Sequence, residues 1–178
     1  MVVSKPDREA TTAPASELCV GGVIVPAPVF LAPMAGITDL PFRRVARRYG
    51  AGLTVSEMVA SETLLDGHPE TTTRAEADDE GLHVVQLAGR EARWMGEGAR
   101  AAEAGGADII DINMGCPVKK VVSGYSGSAL MRDLDHALTL VEAVVGAVSV
   151  PVTLKMRLGW DDSCLNAPEL ARRAEVAG

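Results

Sequence analysis

The chain has 178 residues, enough for one domain with a buried core. Its 47% hydrophobic content excludes an intrinsically disordered chain, and its 3% aromatic content disfavours an all-β sandwich built on aromatic strands. A net charge of −7 works against non-specific nucleic-acid binding by this segment, and three cysteines without a CxxC spacing supply neither a disulfide framework nor a zinc site.

Residues 1–17 read as a disordered lead, mixed in charge and without the apolar stretch of a signal peptide. No apolar run approaches the ~20 residues of a membrane span, and the odd cysteine count without a CxxC makes a reducing cytoplasm the expected compartment. Between 18 and 30, two short β-like runs split by Gly21-Gly22 predict a hairpin. Strand and helix patterns then alternate. A first strand is expected at Val29–Ala32 and a helix over Leu40–Tyr49. Asp39 is its N-cap, Pro41 sits in its first turn, and Phe42, Val45, Ala46 and Tyr49 form the apolar face. A second strand is expected at Leu53–Ser56, with a short helix after it. Residues 66–81 are polar and acidic and read mostly as loop. A strand at Val84–Leu87, a helix from Glu91 to Ala104 and a strand at Asp108–Ile112 follow. A long Gly/Ser loop then precedes a helix from Asp135 to Val148, a strand at Val152–Met156 and a last helix opening near Pro168.

Alternating βα units imply a parallel sheet, and strands apolar on both faces imply burial on both. The first βα turn, Ala32-Pro33-Met34-Ala35-Gly36, lacks the GxGxxG of a dinucleotide-binding sheet. The residues at the strand ends are Met34, Glu57, Gln86, Asn113 and Lys155. Their mean spacing is about 30, against ~31 per unit in a (β/α)8 barrel of ~250 residues. The expected fold is therefore α/β, the first five βα units of a TIM (β/α)8 barrel, with these residues on the rim where such barrels keep their active sites. The chain stops where a sixth strand would begin.

Each of these residues has a plain reading beside a functional one. Met34 suits core filling, Glu57 a helix N-terminus, and Asn113 a turn cap. Gln86, in an apolar strand, needs a buried partner, which a ligand could provide. Lys155 ends an apolar strand and calls for an anion, with an ion pair to Glu57 or Asp111 as the structural alternative. In the loop Asn113-Met114-Gly115-Cys116-Pro117-Val118-Lys119-Lys120, Gly115 allows a tight turn and Pro117 stiffens it. A thiol of ordinary pKa about 8.5 is mostly protonated at neutral pH and can give up a proton. Cys19 and Cys164 lack such a setting. His68, His83 and His136 show no ligand spacing, so no metal is expected. Arg43, Arg44, Arg47 and Arg48 form a basic patch that suits either a solvated helix face or an RNA contact.

Leu31-Ala32-Pro33-Met34-Ala35-Gly36-Ile37-Thr38-Asp39, Ser56-Glu57-Met58-Val59 and Val85-Gln86-Leu87-Ala88-Gly89 resemble segments of the tRNA-dihydrouridine synthases. So do Asp111-Ile112-Asn113-Met114-Gly115-Cys116-Pro117-Val118-Lys119-Lys120-Val121, then Gly127-Ser128-Ala129-Leu130-Met131, and Val152 to Arg157. The set is most similar to the bacterial NifR3-like or B-type branch, over about residues 20–178. The resemblance implies an FMN-binding TIM barrel, of which 18–178 would be the N-terminal portion, followed in the family by a helical tRNA-binding domain that is expected to be absent from these residues. It implies NADPH or NADH as reductant of the flavin, hydride delivery to C6 of a tRNA uridine, and Cys116 as the acid that protonates C5. It assigns Pro33, Met34, Ala35, Gln86, Asn113 and Lys155 to FMN, and Asn113, Lys119 and Arg157 to the substrate. Two alternatives stand beside it: another FMN barrel acting on free pyrimidines, and a non-catalytic remnant. A chain of five units is expected to bind FMN weakly and to carry an exposed sheet edge.

Overall fold

The computed structural model describes residues 18–77 and 81–178, so the expected disordered lead lies outside the described residues. The chain opens with the expected hairpin, β1 (Leu18–Val20) antiparallel to β2 (Val23–Val25). Five strands follow: β3 (Phe30–Leu31), β4 (Leu53–Ala60), β5 (Val84–Ala88), β6 (Ile109–Met114) and β7 (Val152–Met156). All are parallel and hydrogen-bonded in the order β3-β4-β5-β6-β7. A doubly wound sheet reverses its strand order at a switch point. Unbroken sequential order is instead that of a (β/α)8 barrel, and the sheet is half of one.

Strand alternation sorts the core into two. Val85, Leu87, Ile110, Ile112 and Met114 point outward. They pack against α4 (Ala92–Ala104), α6 (Leu134–Val145) and α7 (Ala167–Ala177) through residues such as Met95, Leu140 and Leu170. Leu53, Val55, Val84 and Ile109 form a second cluster with Val25, and Val20 and Val23 of the hairpin pack on it. The hairpin thus stops the amino-terminal end of the sheet with apolar side chains. On the same inner face, further along the strands, the residues turn polar: Gln86, Asp111 and Asn113 are all buried.

Several local expectations change. The stretch 66–81 contains α3 (Pro69–Arg74), with Pro69 in its first turn and an i,i+4 pair between Glu70 and Arg74 at 2.5 Å. It is polar all round, so apolar periodicity gives no sign of it. β4 runs to Ala60 rather than ending at Ser56, and the short helix expected after it is α2 (Ser61–Leu65). The Gly/Ser loop after β6 holds α5 (Lys119–Val122) and a 3-10 turn over Gly127–Arg132.

The first helix, α1 (Leu40–Arg48), departs most. Its N-terminus is built as expected: Asp39 Oδ1 accepts the Phe42 N–H at 2.9 Å, a cap that contributes about 1 kcal/mol. Its apolar face, however, is turned outward, with Phe42 41%, Val45 48% and Tyr49 89% exposed. The buried member is Arg43, whose Nη1 donates to Thr38 O at 2.9 Å and Nη2 to Glu76 O at 3.0 Å. Arg47 Nη2 donates to Leu82 O at 2.9 Å. Two members of the expected basic patch therefore hold the helix to neighbouring backbone instead of forming a solvated face.

His83, just before β5, is buried at the amino-terminal end of the sheet. Its N–H donates to Asp108 Oδ2 at 2.8 Å, and Nδ1 lies 3.3 Å from Gly106 O. Burial lowers its pKa below the ordinary 6.5, with the Gly106 contact opposing. An unfolded chain therefore binds a proton at this residue as pH drops through about 6.5, whereas the folded chain resists it, so stability is lost on acidification. We expect the melting temperature to fall between about pH 7.5 and pH 5.5, and the His83→Gln variant to lose part of that fall in thermal melts across the range.

Candidate active site

A chain of hydrogen bonds crosses the inner face of the sheet. Thr153 Oγ1 on β7 donates to Asp111 Oδ1 on β6 at 2.6 Å. Gln86 Nε2 on β5 donates to Asp111 Oδ2, also at 2.6 Å. Asn113 Nδ2 donates to Gln86 Oε1 at 2.8 Å. Asn113 Oδ1 then accepts the backbone N–H groups of Gly115 at 3.2 Å and Cys116 at 3.0 Å. Ladder register produces the sequence: Gln86 lies opposite Asp111, Asp111 opposite Thr153, and Asn113 opposite Lys155. Gln86 and Asp111 therefore occupy one layer, and Asn113 and Lys155 the next layer toward the carboxyl ends. Burial raises the pKa of the Asp111 carboxyl above the usual range, while hydrogen bonds from Thr153 and Gln86 and the charge of Lys155 pull the other way.

Asn113 belongs to β6 rather than to a loop, and its carbonyl oxygen shapes the turn that follows. Cys116 is half-buried in that turn. Its own carbonyl accepts the N–H of Ser128 at 3.0 Å, so the Gly127-Ser128 segment braces the loop from its far side. Gly127 has φ 60°, and a Cβ there would lie 2.6 Å from Cys116 O and 2.8 Å from Val121 Cγ1. Both the backbone conformation and the space require glycine. A Cβ on Gly115 would stand 3.8 Å from Arg157 Cγ, which places the cysteine turn against the end of β7.

Lys155 is exposed and takes part in no ion pair among the described residues. The anticipated pairings with Glu57 or Asp111 do not form. The Asp111 oxygens receive Thr153 and Gln86, and Glu57 pairs with Arg74 at 3.7 Å. Glu57 is 6% exposed and its Oε2 also accepts the Gly36 N–H. It thereby ties the Pro33-Met34-Ala35 turn to β4, instead of serving a helix N-terminus. The register of β4 slips between Val55 and Met58, a bulge that turns the Ser56 hydroxyl to accept the Gln86 N–H at 3.0 Å. Lys155 and Arg157 line a common cleft of about 690 Å³ with Trp160. Lys119 is exposed at the start of α5, and Met34 is 36% exposed in the first βα turn. Gln86 is 1% exposed, and its protein partners leave one amide hydrogen and one carbonyl lone pair over.

Residue-by-residue reading overlooked Thr153, Ser56, Arg74 and Gly127, and treated Asp111 only as a partner for Lys155. The available signal was Asp111 two positions before Asn113 in an apolar strand, which puts both on one face. Among the described residues no cluster of three or more His, Cys, Asp or Glu side chains could hold a metal ion, and no helix is long and apolar enough to cross a membrane.

Fold and rim together define a (β/α)8-type site at the carboxyl ends of parallel strands. A histamine dehydrogenase from Rhizobium sp. 4-9 shares this fold with a TM-score of 0.55 at 14% identity, over 79% of this chain and 33% of that one. The dihydrouridine synthase (Dus) family model matches residues 30–178, and the chain belongs to that family. A relative named "Probable tRNA-dihydrouridine synthase" from Rhizobium leguminosarum bv. phaseoli is 64% identical over 84% of this chain and 47% of its own length. Another of that name from Rhodobacter capsulatus is 65% identical over 85% and 47%. A "tRNA-dihydrouridine synthase B" from Xanthomonas campestris pv. campestris is 48% identical over 89% and 48%. The chain thus spans about half the length of the curated relatives it matches.

Replacing Gly127 by Ala should push the Cys116 carbonyl out of its bond to Ser128 and destabilise the chain by about 1–3 kcal/mol. Chemical denaturation reads the stability. The alkylation rate of Cys116 by iodoacetamide reads the turn, and should rise beyond any change at Cys164.

Proposed function

We infer that this chain carries the cysteine-bearing face of a flavin-dependent tRNA-dihydrouridine synthase, which saturates the C5–C6 bond of uridines in tRNA. The observation that supports it best is the half-buried Cys116, held by Asn113 on the same rim as Lys155, a cation with no ion pair among the described residues. Family membership agrees in substrate and reaction class.

The residues present suit FMN. A flavin offers an anionic edge when reduced and a polar rim of carbonyl and imino groups, around an apolar ring. Lys155 has no ion-paired carboxylate among the described residues, so its ammonium is available for that edge. Gln86 and Asn113 keep residual hydrogen-bonding capacity on the same face. The Pro33-Met34-Ala35 turn, anchored through Glu57, presents backbone and the half-exposed Met34 on the opposite flank. Bound there, FMN would supply the two electrons for the pyrimidine ring, with NADPH or NADH as its reductant.

The protein's own part is positional and acidic. Cys116 Sγ donates a proton to C5 of the uracil and recovers one from solvent. Asn113 orients the base or the flavin edge. Lys119 and Arg157, exposed on either side of the cysteine turn, take the negative charge of the RNA backbone. The uridine must leave its stack to reach this rim, so these cations hold an extruded nucleotide rather than a helix.

Cys116→Ala in the full product of the gene encoding these residues should retain FMN, read by flavin absorbance after desalting. Uridine reduction in tRNA should fall by roughly 10²–10⁴-fold, as loss of a general acid predicts. Undiminished dihydrouridine formation would remove the cysteine from the reaction. Activity on free pyrimidines with none on tRNA would replace this reading by a pyrimidine dehydrogenase.

A further inference from the structure

We propose that Asp111 is a positioning residue for Cys116, acting at a distance by fixing the direction of two side-chain amides. The proposal rests on the role given to Cys116 above for its catalytic meaning, but its geometry stands independently of turnover.

An amide side chain has a donor end and an acceptor end, and rotating it by half a turn exchanges them at little steric expense. Gln86 and Asn113 are joined head to tail, so either both point one way or both are reversed. In the observed direction Asn113 aims its oxygen at the N–H groups of Gly115 and Cys116. Reversed, it would aim an NH₂ group at those same donors, and the turn would lose both bonds.

Asp111 decides between the two. An ionised carboxylate only accepts, so Gln86 must face it with Nε2, at 2.6 Å. That leaves Gln86 Oε1 toward Asn113, which must answer with Nδ2, at 2.8 Å. Asn113 Oδ1 is then left for the turn. The carboxylate is held in its own place by Thr153 Oγ1 at 2.6 Å. Ser56 Oγ accepts the Gln86 backbone N–H and fixes the strand from the other side. The polarity set at Asp111 thus passes across two side chains to the backbone that carries the thiol. Asp111 is buried, and both of its carboxylate oxygens are taken by Thr153 and Gln86, so its part is to orient the amides.

Amide hydrogen exchange at Gly115 and Cys116, followed by NMR on the wild-type chain, Asp111→Ala, Asn113→Ala and the double variant, tests this. Asn113→Ala removes the acceptor directly and should accelerate exchange at both amides by roughly tenfold. Asp111→Ala should accelerate the same two amides, while Ile112 and Val85 in the core change only with global stability. In the double variant the two effects should not add, because one acts through the other. Thr153→Val, a milder change, should shift the same two amides in the same direction and serves if Asp111→Ala does not fold. Exchange at Gly115 and Cys116 unchanged beyond the core amides in Asp111→Ala, or in Thr153→Val if that variant stands in for it, would overturn the proposal; so would full additivity in the double variant. None of these readings depends on flavin or tRNA, so a failure of the enzymatic reading leaves this test intact, and the converse also holds.

Discussion

The run of hydrogen bonds from Thr153 through Asp111 and Gln86 to Asn113 is the constraint on which the site depends. Four polar side chains stand side by side across β5, β6 and β7, strands that are otherwise mostly apolar. Each would cost several kcal/mol if buried without a partner, so the network is tolerable only when complete. Completion demands a single strand register. A one-residue slip of β6 against β5 or β7 would turn Asp111 and Asn113 into the outer helical layer and bring Ile110 and Ile112 inward. The same bonds that hold the cysteine turn therefore also define how the strands align.

The opposite flank uses a different device. Glu57 is a buried carboxylate that reaches the Gly36 N–H and the Arg74 guanidinium, joining the first βα turn to α3. The bulge in β4 makes this possible, because the register slip lets Ser56 and Glu57 both find polar partners where strict alternation would have turned one of them outward. One irregularity in one strand thus ties together the turn that offers backbone on one side of the rim and the strand that supports Gln86 on the other.

These two devices leave Lys155 and Cys116 chemically uncommitted among the described residues of the rim. The carboxylates that could have neutralised the lysine are occupied, one by Arg74 and the other by neutral donors. Asp111 feels Lys155 only through space. A cation with no ion-pair partner among the described residues, on the same rim as a thiol on a braced turn, is an arrangement suited to a substrate that becomes more negative as it reacts.

The chain's βα rhythm, its strand positions and the cysteine turn were legible in the sequence, because each depends on near neighbours: apolar runs, capping residues such as Asp39, and the Gly-Cys-Pro triplet. β7 was read over the same five residues that form it. What escaped was whatever depends on contacts between distant segments. α3 has no apolar face to betray it, and its Arg74 matters only because Glu57 comes within reach. The periodicity of α1 was real but its orientation was not encoded there. Arg43 turns inward because Thr38 and Glu76 offer carbonyls, and that decision outweighs the preference of Phe42, Val45 and Tyr49 for burial. Likewise the sequence by itself placed Gln86 and Asn113 at strand ends of a parallel sheet, with Cys116 in the loop that follows. Only the tertiary structure decided that they and Asp111 form one directed chain, since the direction of a hydrogen bond between amides is fixed by what lies at its far end.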